Sequence, residues 1–170
     1  MKTIYLGLGS NIGDRASNLR AATGELAAGG VRILRASPIY ETEPVDYTQQ
    51  RWFLNQVVEA ETELFPMQLL SRIGKIESGL GRVRTVAKGP RTIDIDILFY
   101  GERVISVPDE LHVPHLLVHE RAFVLRPLAE VAPDFRHPIL YRTVREMLAE
   151  VEDDHTVVEA ADVPAEWLRE

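Results

Sequence analysis

Cysteine is absent from the 170 residues, so disulfides, thiolate-bound zinc or iron clusters and a thiol nucleophile are excluded, and a reducing compartment is compatible. Long apolar runs are absent as well: nothing approaches the ~18 residues of a membrane span. The opening MKTIYLGLGS carries one lysine and an apolar stretch interrupted by Gly7 and Gly9, unlike a secretory leader. These features predict a soluble, cytoplasmic chain with no membrane partner. An excess of basic residues is also lacking. With 19 Lys and Arg against 26 Asp and Glu the formal net charge is -7, which speaks against a nucleic-acid partner, since phosphate backbones reward a broad basic surface.

Familiar nucleotide and metal signatures are missing too. No G-x-x-x-x-G-K-[ST] occurs, which excludes a P-loop kinase. Gly7, Gly9 and Gly13 are spaced G-x-G-x-x-x-G, one residue out of register with the dinucleotide fingerprint, and are read as a tight turn in which Asp14 helps to start the first helix. His112, His115 and His119 cluster without H-E-x-x-H, and Pro114 places a turn before His115. They are read as contacts to phosphate or to a base rather than as a zinc set.

What remains is an ordinary apolar share, 45%, enough for one globular domain with a real core. TIYLGLGS reads as a strand, and DRASNLRAATGELAAGG as a helix with Leu19, Ala22 and Leu26 at helical spacing. VRILRASPIYET and FLNQVVEAET read as two strands joined by a long polar loop. Pro66 opens a second helix with Leu69, Leu70, Ile73, Ile76 and Leu80 on one stripe, and TIDIDILFY is a fourth strand. The order β-α-β-β-α-β is that of a ferredoxin-like α+β fold: a mainly antiparallel sheet with helices packed on it. Further C-terminal elements are expected, including a short hairpin strand in GERVISV and a helix in TVREMLAEV. The division is a single domain over 1–150 and an acidic extension over 151–170, read either as a strand and turn or as a loosely docked tail.

Alternation in GPRTIDIDILFY puts Ile93, Ile95, Ile97 and Phe99 on one face, and Asp94, Asp96, Leu98 and Tyr100 on the other. Carboxylates two residues apart repel, and a hard divalent cation such as Mg²⁺, shared with substrate phosphates, relieves them; a solvated sheet face is the plainer alternative. Just upstream, the charged residues between Ser78 and Ile93 are Arg82, Arg84, Lys88 and Arg91, all cationic and flanked by Gly79, Gly81 and Gly89. Such a glycine-hinged arginine loop suits the phosphates of a nucleotide. Phe53 and Asn55, on one side of a strand, suit a flat hydrogen-bonding heterocycle, or else a core Phe and a turn Asn.

Taken in order, GSNIGDR, YETEPV, FLNQVV, GRVR, KGPRTIDIDIL, VPH and RAFVLRPLAEVAP, across roughly residues 4 to 135, resemble the 6-hydroxymethyl-7,8-dihydropterin pyrophosphokinase family. The resemblance implies a Mg²⁺-dependent transfer of pyrophosphate from ATP to the pterin alcohol, releasing AMP. It implies that Asp94 and Asp96 hold two Mg²⁺ ions, and that Arg82, Arg84 and Arg91 meet the ATP phosphates, with Arg82 and Arg91 catalytic beside the aspartates. His115 and Arg121 match nucleotide contacts, and Leu70, Ile97 and His112 the adenine pocket. Thr42, Pro44, Val45, Phe53, Asn55 and Phe123 match the pterin pocket, with Phe53 and Phe123 on either side of the ring. The expected partners are ATP and a reduced pterin, in a monomer. Two departures stand out: Asp46 where the family often has Gly, and no tryptophan near Lys88. The rivals are a D-x-D nucleotidyltransferase, which would need a Gly-Ser close before the Asp pair, and a ferredoxin-like module that binds a small ligand.

Overall fold

The computed structural model describes residues 1–81 and 91–160. At its centre, β1 (Lys2–Ser10) runs antiparallel between β4 (Phe53–Thr62) and β5 (Asp94–Tyr100). β4 also pairs along its length with β2 (Val31–Ala36) and β3 (Tyr40–Thr42), and β3 pairs at the sheet edge with β8 (Val157–Glu159). Every pairing in this six-stranded sheet is antiparallel. β6 (Ile105–Val107) and β7 (Leu111–Val113) form a separate hairpin. The helices are α1 (Arg15–Ala28), α2 (Pro66–Gly79), α3 (Ala122–Val131) and α4 (Val144–Glu150), with a 3-10 turn at Val118–Glu120. The β-α-β-β-α-β core is the ferredoxin-like arrangement expected. No helix among the described residues is long and apolar enough to cross a membrane.

The stretch 31–42, read as one strand, is two. Pro38 has no N–H to give a ladder, and the chain is bridged there by Ser37, whose N–H donates to Val57 O at 2.8 Å while its Oγ accepts from Val57 N at 3.0 Å. The C-terminal residues also do more than trail: β8 supplies the sixth strand.

Helices cover both faces. α1 and α2 place Leu19, Ala22, Leu26, Leu69, Ile73 and Ile76 against Ile4, Leu6, Leu8, Ile95 and Ile97. α3 and α4 close part of the other face, with Leu125, Leu128, Val131, Val144 and Met147 packed on Tyr5, Val57, Leu98 and Phe99. This corrects the simple alternation read in β5. The β1–β5 register shifts between Tyr5 and Leu6, so that Leu6 faces Ile97 and Tyr5 faces Phe99, leaving Leu98 as the extra residue of a bulge. Beyond a bulge the faces exchange. Phe99 therefore joins the α3 side and Tyr100 the α1 side, while Asp94 and Asp96 lie upstream and keep the face expected of them.

A second correction concerns the glycines. Gly7 and Gly9 sit inside β1, not in a turn. Gly13 alone of the three has the left-handed backbone of a turn, at φ 68°, where a side chain would be strained. Asp14 then caps α1, its Oδ1 accepting from Ser17 N at 3.1 Å.

At the first turn of α1, Arg15 is buried against Glu41 of β3, Nη1 to Oε1 2.8 Å, and the same Nη1 donates to Trp52 O at 2.9 Å. The two contacts tie both ends of the loop 43–52 to one helix. Because removing one member strands the other as a buried charge, Arg15→Met or Glu41→Leu alone should cost about 3–5 kcal/mol, whereas the double replacement should recover most of that. Urea unfolding of the three variants decides it; single losses below about 1 kcal/mol contradict the pairing as the loop's anchor.

Candidate active site

The register of three strands builds the site. Asn55, Gly9 and Asp94 fall in one row across β4, β1 and β5, and Val57, Gly7 and Asp96 in the next. At ~4.8 Å between strands, Asn55 and Asp94 have their Cα atoms about 10 Å apart, with only glycine between them. A Cβ on Gly9 would lie 2.6 Å from Asn55 Oδ1, and one on Gly7 3.6 Å from the Leu98 side chain. The glycines thus form an open floor on the face that α3 leaves uncovered. A cavity of about 320 Å³ stands on it, walled by β3, the loop after it, the start of α3 and the segment around His115.

At one end of the row are the carboxylates. Asp96 has its pKa pushed up to about 7, first by burial and then by the charge of Asp94, with Glu77 adding to it; Arg121 and Arg91 pull the other way. Glu77 of α2 accepts the N–H of Ile95, between the two aspartates, at 2.9 Å. Arg91 reaches Asp94, Nη1 to Oδ2 3.5 Å. Its backbone is fixed on both sides by Asn11: Arg91 N donates to Asn11 Oδ1 at 2.7 Å and Asn11 N to Arg91 O at 3.0 Å. A pair of cavity-facing carboxylates, one of which resists ionisation, is the donor chemistry that a hard divalent cation satisfies. Burial and then Arg121 lower the pKa of His115 and favour its neutral ring, although Asp94 opposes this. Its Nδ1 accepts from Leu117 N at 3.2 Å, which leaves Nε2 as the nitrogen that carries the proton.

At the other end, Asn55 donates through Nδ2 to Thr42 Oγ1 at 2.6 Å, which orients its amide, and Phe53 stands beside it on β4. Phe123 lies in the first turn of α3, with the Arg121 guanidinium 5.5 Å from its ring centre. Asp46, on the rim, has φ 68°, a backbone that glycine adopts freely and aspartate tolerates.

Thr42, Val45, Phe53, Asn55, Arg91, Asp94, Asp96, His115, Arg121 and Phe123 all line the cavity. Pro44 is buried. Leu70 and Ile97 belong to the α1–α2 core on the opposite face, and His112 sits on β7 with Nδ1 3.2 Å from Ser106 Oγ; none of these four lines it. Arg82, Arg84 and Lys88 lie outside the described residues. Sequence reasoning missed Gly7 and Gly9 as the floor, Asn11 as the clip on Arg91, and Glu77. The first was readable in principle, because G-x-G inside a strand and D-x-D inside a neighbour share a period of two.

Residues 5–133 match the family model of 7,8-dihydro-6-hydroxymethylpterin-pyrophosphokinase (HPPK). The chain is 50% identical over 153 residues to the 2-amino-4-hydroxy-6-hydroxymethyldihydropteridine pyrophosphokinase of Methylorubrum extorquens, covering 89% of this chain and 95% of that one. It is 48% identical over 128 residues to the Bacillus subtilis protein of the same name, covering 75% and 76%. With the folic acid synthesis protein fol1 of Schizosaccharomyces pombe the identity is 44% over 148 residues, covering 86% of this chain but 20% of that protein. Among solved structures, Plasmodium falciparum HPPK-DHPS with pteroate superposes with a TM-score of 0.70 at 18% identity, covering 87% of this chain and 42% of that one. The chain therefore spans a fifth of the yeast protein and under half of the Plasmodium chain.

The electrostatics of Asp96 carry a stability signature. An acid whose folded pKa lies above its unfolded value loses stability as pH rises, here between about 4, where the unfolded carboxyl ionises, and about 7, where the folded one does. Without divalent cations, Asp96→Asn should match the parent near pH 3.5 and exceed it by roughly 2 kcal/mol at pH 8, after discounting for solvent reaching the cavity. Urea midpoints across that range test it; a parallel pair of curves contradicts the burial of this charge.

Proposed function

The chain belongs to the 7,8-dihydro-6-hydroxymethylpterin-pyrophosphokinase family, and from that premise we propose that it transfers the pyrophosphoryl group of ATP to 6-hydroxymethyl-7,8-dihydropterin, releasing AMP, in folate biosynthesis. The observation that carries the reading is the row Asn55–Gly9–Asp94. It sets an aromatic and amide end suited to a flat heterocycle about two strand spacings from a carboxylate and arginine end suited to a polyphosphate.

At the first end, Phe53 and Phe123 offer faces to the pterin ring. Asn55 has its Nδ2 committed to Thr42, so its Oδ1 is presented as an acceptor for the ring's N–H groups. The substrate's hydroxymethyl arm then extends over Gly9 toward Asp94, where no side chain intervenes. At the second end, Arg91 and Arg121 bring positive charge to the phosphate oxygens, and His115 donates from Nε2. Arg82 and Arg84 belong to the same proposal as further phosphate cations; Leu70, Ile97 and His112, which lie outside the cavity, are the residues it assigns to the adenine. Asp94 and Asp96 are the residues that would hold two Mg²⁺ ions, which when bound supply charge against the phosphate oxygens. The hydroxymethyl oxygen attacks the β-phosphorus in line as its proton passes to solvent, the bond from the β-phosphorus to the α-phosphate oxygen breaks, and AMP leaves with that oxygen and no covalent enzyme intermediate. Phosphoryl transfer of this kind asks the protein for alignment and charge. Action as a monomer in the cytoplasm is part of the same proposal.

Incubation with Mg-ATP and the reduced pterin should yield AMP. ADP would instead indicate a simple kinase, pyrophosphate a nucleotidyl transfer, and no turnover a binding module. Asp94→Ala and Asp96→Ala should each lower kcat by at least about a hundredfold; normal turnover in either would sink the assignment. Gly9→Ala should raise KM for the pterin roughly tenfold by pushing Asn55 from its place, with KM for ATP changed less. An unchanged pterin KM would remove Gly9 from the floor of that site.

A further inference from the structure

The residues after α4 run between two walls of the cavity and bond to both. Asp153, whose side chain is 8% exposed, accepts the N–H of Ala122 through Oδ2 at 2.9 Å. Ala122 is the first residue of α3, and the capping position before it, Arg121, offers no side-chain bond of its own. A carboxylate from 31 residues away thus serves the positive end of the helix whose first turn carries Phe123. Asp153 is itself held: its Oδ1 accepts from His155 N at 3.0 Å and meets His155 Nδ1 at 2.5 Å. Burial works against that carboxyl, yet the bonds from Ala122 and His155 keep it below its ordinary pKa.

One residue further on, the chain grips the opposite wall. Glu43 N donates to Thr156 O at 3.0 Å, and Thr156 N donates to Glu43 Oε1 at 3.3 Å. From there β8 pairs with β3, Val157 opposite Thr42. Thr42 and Glu43 line the cavity on that side, and Arg121 and Phe123 on this one. Four residues, Asp153 to Thr156, therefore span the gap between Thr42 with its amide partner Asn55 and the ring of Phe123.

We infer that this segment is a strap that fixes the separation of the pterin-side walls, with Asp153 as a positioning residue; the inference rests on the pterin site proposed above. Asp153 touches no substrate. It acts by holding the first turn of α3, and so the Phe123 ring, at a set distance from β3. Loss of the carboxylate frees that turn, which carries Phe123 and follows directly on Arg121, while leaving the sheet, the Asp94–Asp96 row and Arg91 in place, so the cost falls more heavily on the pterin, which loses one wall, than on ATP, which keeps the aspartates and Arg91.

Steady-state kinetics of the full chain test this with Asp153→Ala, Asp153→Asn and the exposed neighbour Asp154→Ala. The expected result is a pterin KM raised about tenfold in Asp153→Ala, a clearly smaller rise in the ATP KM, at least half of the loss recovered in Asp153→Asn, and no change in Asp154→Ala. If Asp153→Ala does not fold, Asp153→Asn alone decides, since its amide oxygen still accepts from Ala122 but meets His155 without a charge: a pterin-selective rise of a few-fold supports the strap. A pterin KM within twofold of the parent in Asp153→Ala, or in Asp153→Asn where only that variant folds, overturns it. So does an equal rise in both KM values, which would mark a general loss of structure. A parent chain that turns over neither substrate overturns the proposed function itself, whereas a fully active parent with indifferent Asp153 variants overturns only the strap.

Discussion

A strand at the middle of a sheet normally fills both of its faces with side chains, and here it does not. β1 carries Ile4, Leu6 and Leu8 into the α1–α2 core but only hydrogen atoms at Gly7 and Gly9 on the other side. Glycine in a strand interior costs conformational entropy and forfeits packing. The fold offsets that by bracketing β1 on both sides, paired along its length with β4 and along most of it with β5. Flanking side chains that would otherwise be separated by a third now face a common space. Asn55 and the two aspartates gain their relation to each other from what stands between them.

The second constraint is electrostatic. In a chain of net charge -7, two carboxylates on one strand face with a third, Glu77, behind them would be a fault in any sheet that only had to fold. Their cost is met by rigidity elsewhere. Ile93, Ile95 and Ile97 anchor the strand in the core below, Asn11 holds the chain just ahead of it, and Glu77 is engaged with the backbone N–H between the pair. The result is a concentration of negative charge that cannot relax by moving, which leaves protonation or a bound cation as its outlets.

Much of this was legible in the residues. The order of elements followed from hydrophobic period and from Gly and Pro punctuation, and D-I-D next to arginines announced a charged site on its own. What escaped were features decided by partners distant in the chain. The bulge at Leu98 depends on the register against β1, so alternation placed Asp94 and Asp96 rightly but Phe99 and Tyr100 on exchanged faces. Gly7 and Gly9 looked like turn glycines because their neighbours across the sheet, Asn55 and Asp94, are dozens of residues away. The division of residues 31–42 into two strands was signalled by Pro38, while the pairing of β8 with the short β3 had no local signal at all: three residues of ordinary strand propensity become a strand only because an unfilled edge is waiting.

The bulge in β5 also separates two tasks that one strand must perform. Ahead of Leu98, the pleat presents Asp94 and Asp96 to the cavity; past it, the same strand turns Phe99 toward α3 and sends Tyr100 under the sheet. A single supernumerary residue works here as a joint. Side chains past the joint can be repacked against α3 and α4 without any rotation being passed back along the strand to the aspartates.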